Sequence, residues 1–555
     1  MIARSIWQKE EYDPVNWNFG DILDGIDAGF PADAPAVIHG ETVVPWNEFA
    51  RRSNNLARAL RARGMAEGDK VGFYMRNRPA YMEALAACFK ARAVHVNVNY
   101  RYLDDELVYI LENSDASVVV FSEEFADRVA QIRHKAEGVK VWLQVGGEAP
   151  EWAESYEALI NEGDGEPLKI DRSDDDLLFI YTGGTTGMPK GVMWRAEDLW
   201  GALGAGGNAP ANAGEKPASP EQHVANVVGA GSVARQITAC PLMHGTGLLT
   251  AIGTLSGGGC IVLLEGNGFD AEEFWSVAES SRANSAVIVG DAFAKPMLNA
   301  LDAHPERWAL PEMKVMISSG VMFSRDVKEL LIGHLPDLML ADMFGSSEAV
   351  GFGSSVTSKA SGTKTAKFMI GEDCKVFTED HTEVEPGSGE RGFIARRGPI
   401  PLGYYKDSEK TAKTFPTIAG VRYSIPGDWC IVEADGTLTL LGRGSACINT
   451  AGEKVYPEEV EEALKTHASV EDALVVGVPD EKWGTAVTAV VEPAPGSVAD
   501  EEALREHVRG LLAGYKVPKR VIDTEKMFRA PNGKADYKGA RAHALSALGM
   551  QEEPA

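Results

Sequence analysis

The order of apolar runs between residues 70 and 98 narrows the possible folds of this chain more than any other feature. Lys70 to Met75 is typical of a buried strand, Pro79 to Lys90 of a helix, and Ala93 to Val98 of a second strand. A strand, helix and strand in this order form a right-handed crossover, which makes the two strands parallel neighbours in one sheet. The chain is therefore predicted to contain a parallel sheet covered by helices.

The same alternation resumes further along the chain and then changes. Strand candidates separated by helical segments recur between residues 259 and 342, so more than one α/β sheet is expected. From Lys375 onward the pattern is one of short strands and tight turns, and after Pro457 a helix, two strands and a helix form a small α+β unit. The predicted boundaries are a large N-terminal domain at residues 1–441, a glycine-containing hinge at 442–446 and a C-terminal domain at 447–555.

Composition excludes several classes of function. The formal net charge is -27, which disfavours binding to nucleic acid or to anionic lipid. No apolar run approaches the ~20 residues of a transmembrane helix, and Glu10, Glu11 and Asp13 interrupt the start of the chain where a signal peptide would be apolar. A cytoplasmic protein is predicted. The six cysteines lack metal-site spacing and are interpreted as reduced core residues.

The stretch from Tyr181 to Arg195 combines four glycines, three threonines and a lysine after an apolar strand candidate. Backbone N–H groups in such a loop form an anion-binding concavity, hydroxyls add donors, and Lys190 adds a compact positive charge. It is not a Walker A loop, because Lys190 follows Pro189 and precedes no Ser or Thr. The stretch therefore predicts a phosphate-binding loop, and a flexible surface turn is the alternative.

A second informative segment is the one from Asp428 to Arg443. Two apolar runs flank Asp435-Gly436, which predicts a two-residue β-hairpin turn. In that register Asp428 faces Arg443 at the open end of the hairpin. From the residues alone, a cross-strand ion pair and a ligand-binding pair both stay open.

Two further segments bear on the fold. Gly387 to Gly392 matches the dinucleotide-binding pattern G-x-G-x-x-G, but a strand candidate follows it where that motif needs a helix. It is therefore interpreted as a turn between strands. Gly201 to Ser232 is rich in Gly, Ala, Pro and Asn and is predicted to be a long loop.

The threonine and glycine stretch resembles the phosphate-binding signature of the adenylate-forming superfamily, which includes acyl-CoA synthetases. Further segments resemble motifs of this superfamily in the expected order. They begin at Pro241, Ser318, Asp342, Gly403, Tyr423 and Pro531. Within the superfamily the chain is most similar to bacterial synthetases that activate long-chain fatty or steroid side-chain acids.

The resemblance implies roles for individual residues. Residues implied to bind ATP or AMP are Thr182, Gly183, Gly184, Thr185, Thr186, Gly187, Lys190, Ser319, Gly320, Asp342, Phe344, Gly345, Ser347, Asp428 and Arg443. Lys534 and His244 are implied to be catalytic, Glu348 and Thr185 to hold Mg²⁺, and Gly452, Glu453 and Lys454 to border the CoA path.

The resemblance also implies an architecture and a reaction. The expected fold is an α/β N-terminal domain of two sheet subdomains plus a small β subdomain, followed by a mobile α+β C-terminal domain. The expected enzyme is an ATP-dependent acid–CoA ligase that forms an acyl-adenylate and releases AMP and pyrophosphate. An acyl-AMP ligase that loads a carrier protein and an inactive nucleotide-binding homologue are the alternatives. A homodimer is the expected assembly, and the acid cannot be named from the sequence.

Overall fold

The computed structural model describes residues 15–182, 188–203, 215–231, 234–320, 323, 325–360, 367–443, 448–455, 457–528 and 536–550. The first elements are α1 (Phe19–Gly29), β1 (Pro35–His39), β2 (Thr42–Pro45), α2 (Trp46–Ala62), β3 (Lys70–Tyr74), α3 (Pro79–Ala91), β4 (Val94–Asn97), α4 (Asp104–Asn113), β5 (Ala116–Ser122), a 3-10 turn (Glu123–Phe125), α5 (Ala126–Ile132), β6 (Val141–Val145), β7 (Glu154–Ser155), α6 (Tyr156–Ile160), β8 (Leu177–Thr182), β9 (Lys190–Arg195) and α7 (Ala196–Ala202).

The middle of the chain contributes α8 (Pro220–Ala230), β10 (Arg235–Thr238), α9 (Gly245–Ser256), β11 (Cys260–Leu263), α10 (Ala271–Ser280), β12 (Ser285–Ile288), α11 (Gly290–Ala303), β13 (Val315–Ser319), α12 (Arg325–His334), β14 (Met339–Ser346), β15 (Ala349–Thr357), β16 (Lys367–Ile370), β17 (Cys374–Phe377), β18 (Arg391–Arg396), β19 (Gly403–Tyr404), α13 (Ser408–Thr414), β20 (Thr417–Ile418), β21 (Val421–Arg422), β22 (Asp428–Val432) and β23 (Thr437–Arg443). The last elements are β24 (Ile448–Thr450), β25 (Glu453–Val455), α14 (Pro457–Lys465), β26 (Val470–Asp480), β27 (Gly484–Pro493), α15 (Glu501–Leu511), β28 (Arg520–Asp523) and α16 (Tyr537–Ala547).

An eight-stranded sheet contains the strand–helix–strand unit predicted for residues 70–98, and its strand order is β19-β9-β8-β4-β3-β5-β6-β7. Strands β3 and β4 pair in parallel, as the crossover rule predicts. The mainly apolar helix α3 connects them and is buried along most of its length. The predicted parallel sheet is confirmed.

A thirteen-stranded sheet forms the second layer, in the order β17-β18-β22-β23-β16-β15-β14-β13-β12-β10-β11-β1-β2. Strands β10 to β14 are parallel, and β15 turns the sheet antiparallel. Beyond β15 the strands enclose a small core that includes Phe344, Phe352 and Phe368. The expected β subdomain is therefore continuous with the second sheet.

The C-terminal region is a small α+β unit, as expected. Strands β26, β27 and β28 form its sheet. One side of this sheet packs with α14 and α15 through Val460, Leu464 and Val508, and the other packs with α16 through Ala540 and Ala544. No helix in the described part of the chain is both long and apolar enough to cross a membrane.

One local prediction is wrong. Helix α8 lies inside the segment from Gly201 to Ser232 that was predicted to be a loop. Its N-terminus has standard signals, because the Ser219 side chain accepts a hydrogen bond from the Gln222 N–H group and Pro220 occupies the first turn. His223 and Val227 bury one face of the helix. The glycine and alanine content of the surrounding segment concealed this short apolar face.

The hairpin turn also differs from its prediction. β22 and β23 pair as predicted at Asp428 and Arg443, but the pairing shifts by one residue between Trp429 and Cys430. The turn therefore has three central residues rather than two, and Gly436 has a φ of 78°. The bulge compensates for the longer turn, so the predicted register at the open end is confirmed.

Candidate active site

A cavity of about 1270 Å³ lies where the two large sheets and the C-terminal region meet. Its floor includes residues of β10, β12, β13 and β14, and helix α9 forms one wall. Ser319, Gly320 and Phe344 border the cavity at the carboxyl ends of the parallel strands, and the C-terminal residues Gly452 and Glu453 border it as well. Ligands of open α/β sheets bind outside such strand ends. The cavity is the candidate active site.

The predicted phosphate loop connects two paired strands. Thr182 ends β8, Lys190 begins β9, and the two residues face each other in the ladder. Thr182 borders the cavity, whereas Lys190 forms an ion pair with Asp407 at the N-cap of α13. Burial opposes ionisation of Asp407, but hydrogen bonds from Lys190 and Lys410 outweigh it and lower the pKa of this carboxyl group. Gly183 to Gly187 lie outside the described residues.

Strand β14 carries three of the residues implied to bind the nucleotide. Phe344 borders the cavity, and its ring centroid lies 5.3 Å from that of Phe352 and 5.4 Å from that of Phe368. Gly345 follows at an irregular point in the ladder, where a Cβ atom would lie 3.1 Å from the Ala349 carbonyl oxygen. A side chain at Gly345 would therefore force the backbone apart.

Asp342 lies two residues before Phe344 on the same strand. Its carboxylate accepts a hydrogen bond of 2.7 Å from Lys328 on α12, and both residues are buried. Ala341 and Met343 line the cavity while Asp342 does not, because neighbouring side chains of a strand point to opposite faces. The Asp342 side chain is therefore not part of the cavity lining, and its role in nucleotide binding stays a prediction.

Glu348 follows β14 and is anchored from two directions. The Tyr404 hydroxyl group donates a hydrogen bond of 2.7 Å to its carboxylate, and the Ser424 hydroxyl group donates one of 2.7 Å to its carbonyl oxygen. Next to it, the Ser347 carbonyl oxygen accepts a hydrogen bond of 2.9 Å from the Trp194 indole. These contacts attach the turn between β14 and β15, which contains Ser347 and Glu348, to β9 and β19 of the eight-stranded sheet.

The hairpin of β24 and β25 carries the C-terminal region to the cavity. Its two turn residues, Ala451 and Gly452, have φ angles of 48° and 83°, which a tight hairpin requires. A Cβ atom on Gly452 would lie 3.5 Å from Val289 and 3.9 Å from Phe293. Both of these residues line the cavity, so Gly452 keeps the opening free of a side chain.

Glu453 joins this hairpin to the N-terminal domain. One carboxylate oxygen lies 3.0 Å from His244 Nε2 and the other lies 2.9 Å from Arg101 Nη1. Only 5% of the Glu453 side chain is exposed. Burial opposes its ionisation, but the charges of His244, Arg101 and Lys516 outweigh burial and lower the pKa of the Glu453 carboxyl group. Glu453 is therefore an anion at neutral pH.

A second contact between the domains lies beside the first. Lys516 Nζ donates a hydrogen bond of 2.5 Å to Glu106 on α4, and the two side chains are 3% and 4% exposed. Asn99 Nδ2 donates to the Tyr515 hydroxyl group at 3.2 Å. These contacts hold the C-terminal region against the cavity.

Sequence reasoning missed several of these residues. Asn97 accepts a hydrogen bond from the Tyr181 N–H group and donates to the carbonyl oxygens of Tyr181 and Met243, which ties β8 to the segment before His244. Asn97, Asn99 and Arg101 interrupt or follow an otherwise valine-rich strand, and this polar interruption was the available signal.

The side chains of two predicted site residues lie outside the described part of the structure, and six further predicted site residues, Gly183 to Gly187 and Lys534, lie outside it altogether. The backbones of Arg443 and Lys454 lie in β23 and β25, but their side chains are outside the described part of the structure. Lys534 lies outside the described residues. Their roles stay predictions.

Comparison with known proteins agrees with this geometry. The family "AMP-binding enzyme" matches residues 26–405, and the family "AMP-binding enzyme C-terminal domain" matches residues 459–534. The chain belongs to the AMP-binding enzymes, among their acyl-CoA synthetases. As such it uses ATP and CoA, and the predicted superfamily and α/β fold class are confirmed.

Two relatives and one solved structure illustrate the similarity. The medium/long-chain-fatty-acid--CoA/3-oxocholest-4-en-26-oate--CoA ligase of Mycobacterium marinum is 40% identical over 95% of this chain and 96% of its own. The 3-oxocholest-4-en-26-oate--CoA ligase of Rhodococcus rhodochrous is 41% identical over 90% of this chain and 91% of its own. The amide bond synthetase McbA from Marinactinospora thermotolerans has a TM-score of 0.78 at 22% identity, covering 95% of this chain and 99% of its own, which shows the fold alone.

Proposed function

We propose that this acyl-CoA synthetase activates a long-chain or steroid side-chain carboxylic acid. The observation that carries the proposal is the cavity of about 1270 Å³, which extends from the nucleotide motifs on β13 and β14 along the whole of α9. Sites for small ligands have volumes of about 300 to 1,000 Å³, so this cavity has room for a bulky acyl group in addition to the reacting groups. The substrates named for the relatives support the same choice.

In the first step a carboxylate oxygen of the acid attacks the α-phosphorus of ATP. A new P–O bond forms, the bond to the β-phosphate bridge breaks, and pyrophosphate leaves. Negative charge spreads over the phosphoryl oxygens during this transfer, so positioning and preplaced positive charge provide most of the catalysis. We assign these roles to the phosphate loop with Lys190, to Lys534, and to Asp428 and Arg443 at the ribose.

Mg²⁺ is implied by the reaction, and the carboxylate of Glu348 is a ligand of the kind that this ion takes. Mg²⁺ commonly binds through one or two carboxylates together with substrate phosphates. Glu348 offers a buried carboxylate that a hydrogen bond from the Tyr404 hydroxyl group holds in place, and Thr185 is the second implied ligand. When bound, Mg²⁺ would neutralise phosphate charge.

In the second step the CoA thiol attacks the acyl carbonyl carbon. A C–S bond forms, the C–O bond to AMP breaks, and the thiol loses its proton. His244 is the N-cap residue of α9 and borders the cavity beside Glu453, so its imidazole is positioned to accept that proton. The contacts of Glu453 and Lys516 support assigning the described domain arrangement to this step.

The substrate proposal is tested by CoA-dependent AMP formation. The purified protein is assayed with acetate, octanoate, palmitate, an aromatic acid and a steroid with a carboxylated side chain. We expect turnover of palmitate, the steroid acid or both, and little turnover of acetate, because the long cavity gives a small acid few contacts. Pyrophosphate exchange without any CoA-dependent AMP formation would instead favour a carrier protein as the thiol. Absence of exchange with every acid would favour an inactive homologue.

The domain contacts lead to a prediction about the second step. Replacing Glu106 with glutamine removes the carboxylate to which Lys516 donates at 2.5 Å, and breaking a buried ion pair costs about 3–5 kcal/mol. We expect CoA-dependent consumption of a preformed acyl-adenylate to slow by about tenfold or more, with ATP–pyrophosphate exchange nearly unchanged.

The matched control is Glu48→Gln. Glu48 pairs with Arg51 on the surface of α2, and exposed pairs contribute little. Both half-reactions should keep their rates in this variant. Equal slowing of both half-reactions in Glu106→Gln would show that the pair stabilises the whole protein and does not position the domain.

A further inference from the structure

The cavity has a polar far end, on the opposite side from the nucleotide motifs. Gln236, Ser285, Val315 and Met339 face one another across four neighbouring strands and all line the cavity. Ser319 and Met343 form the row at the nucleotide end. Val315 and Ser319 are four residues apart on β13, so the two rows are separated by about 13 Å.

Helix α9 gives an independent estimate of the distance between the two ends of the cavity. Thr246 lies at the nucleotide end, because its hydroxyl oxygen is 4.0 Å from the position of a Cβ atom on Gly320. Thr254 lies eight residues further along the helix, which corresponds to about 12 Å. The Thr254 hydroxyl group donates a hydrogen bond of 2.8 Å to the Gln236 side-chain oxygen. The helix and the sheet therefore both place the pair of Gln236 and Thr254 about 12 to 13 Å from the nucleotide end of the cavity.

Gln236 has unused hydrogen-bonding capacity at this end. Its side-chain nitrogen carries two hydrogens, and one of them is donated to the Thr238 hydroxyl oxygen at 3.2 Å. No further acceptor for this nitrogen occurs among the described residues, although Gln236 is 3% exposed. Between the two ends the lining includes the apolar side chains of Leu249, Ile317 and Ala341, and the Thr250 hydroxyl group there donates to the Thr246 carbonyl oxygen within the helix.

We propose that Gln236 and Thr254 bind an oxygen atom at the far end of the acid. The enzyme then selects acids that have an apolar middle and a carbonyl or hydroxyl group remote from the carboxylate. A carbonyl oxygen accepts from the Gln236 N–H group, and a hydroxyl group can also donate to the Thr254 oxygen. A plain alkyl end would leave the buried amide without this partner, and sites built to bind a polar group discriminate against analogues that lack it.

This inference rests on the proposed function and names the acid more narrowly. It is tested with three acids: a 3-oxo steroid with a carboxylated side chain, the same compound without the 3-oxo group, and palmitate. The readout is the ratio of kcat/KM for the 3-oxo acid to that for its deoxy analogue. We expect a ratio of about ten or more in the unmodified enzyme and a ratio near one in Gln236→Leu. Thr254→Val should reduce the ratio in the same direction.

The matched control is Gln144→Leu. Gln144 is also a buried strand glutamine, but it lies on β6 of the other sheet and does not line the cavity. The ratio of kcat/KM for the two steroid acids should be the same in Gln144→Leu as in the unmodified enzyme, even if the variant is less stable. A ratio near one in the unmodified enzyme, or an unchanged ratio in both Gln236→Leu and Thr254→Val, would overturn the inference.

Substrate choice separates this inference from the proposed function. Turnover of palmitate without turnover of either steroid acid would overturn the role of Gln236 and leave the synthetase assignment intact. Absence of ATP–pyrophosphate exchange with all three acids would contradict both the role of Gln236 and the proposed function.

Discussion

Replacing Lys534 with alanine is expected to lower ATP–pyrophosphate exchange by about 10²- to 10³-fold, the effect of removing one preorganised group that stabilises transition-state charge. The reason is that the phosphorus atom is attacked only in the first step, in which charge builds on the oxygens of the phosphoryl group in transit. The second step breaks the C–O bond to AMP without attack at phosphorus, and we propose no role for Lys534 in it. We therefore expect the variant to convert a preformed acyl-adenylate and CoA to acyl-CoA at close to the normal rate.

Lys538→Ala is the matched control for this prediction. Lys538 lies on α16, four residues further along the chain, and has no assigned role in the site. Both half-reactions should be unchanged in it. If Lys534→Ala keeps normal exchange, the assignment of Lys534 from its motif is wrong. If it loses both half-reactions equally, the residue supports the fold of the C-terminal domain instead.

Replacing Gly452 with valine is expected to have the second largest effect, on the opposite half-reaction. The φ angle of 83° at this position is strained for a β-branched residue by about 1–3 kcal/mol, and the added side chain would enter the space beside Val289 and Phe293. We expect acyl-CoA formation from a preformed acyl-adenylate to fall by at least about tenfold, while pyrophosphate exchange persists.

A neighbouring substitution provides the comparison. Ala451 also has a positive φ, of 48°, and glycine adopts this conformation without strain. Ala451→Gly should therefore leave both half-reactions intact. An equal loss in Gly452→Val and Ala451→Gly would mean that hairpin flexibility, and not the space at Gly452, limits the thiol step.

Local sequence patterns predicted the fold well where the determining contacts are local. The crossover of β3, α3 and β4 follows from apolar runs and chain handedness. The pairing of Asp428 with Arg443 follows from a turn signal, although the turn gained a residue and a bulge restored the register. Helix α8 was missed because a short buried face is weak beside a run of glycine and alanine.

The site was predicted less completely than the fold. A motif gives a position along the chain but not the contacts of a side chain, which is why the hydrogen bond between Lys328 and Asp342 was not predicted. Contacts such as Lys516 with Glu106 join residues 410 positions apart, and no local pattern specifies them. The predicted domain boundaries, homodimer and cytoplasmic location stay predictions.

The ion pair between Lys190 and Asp407 has a consequence for how an acidic protein admits a polyphosphate. With a formal charge of -27, the molecule repels anions at long range, and the lysine of the phosphate loop already has an anionic partner. A phosphate that binds Lys190 must compete with that aspartate for the ammonium group. A singly charged anion competes poorly, whereas a multiply charged triphosphate competes well. If Lys190 binds phosphate as proposed, we expect the exchange of Asp407 for a phosphate at its ammonium group to select ligands by charge before the first reaction step.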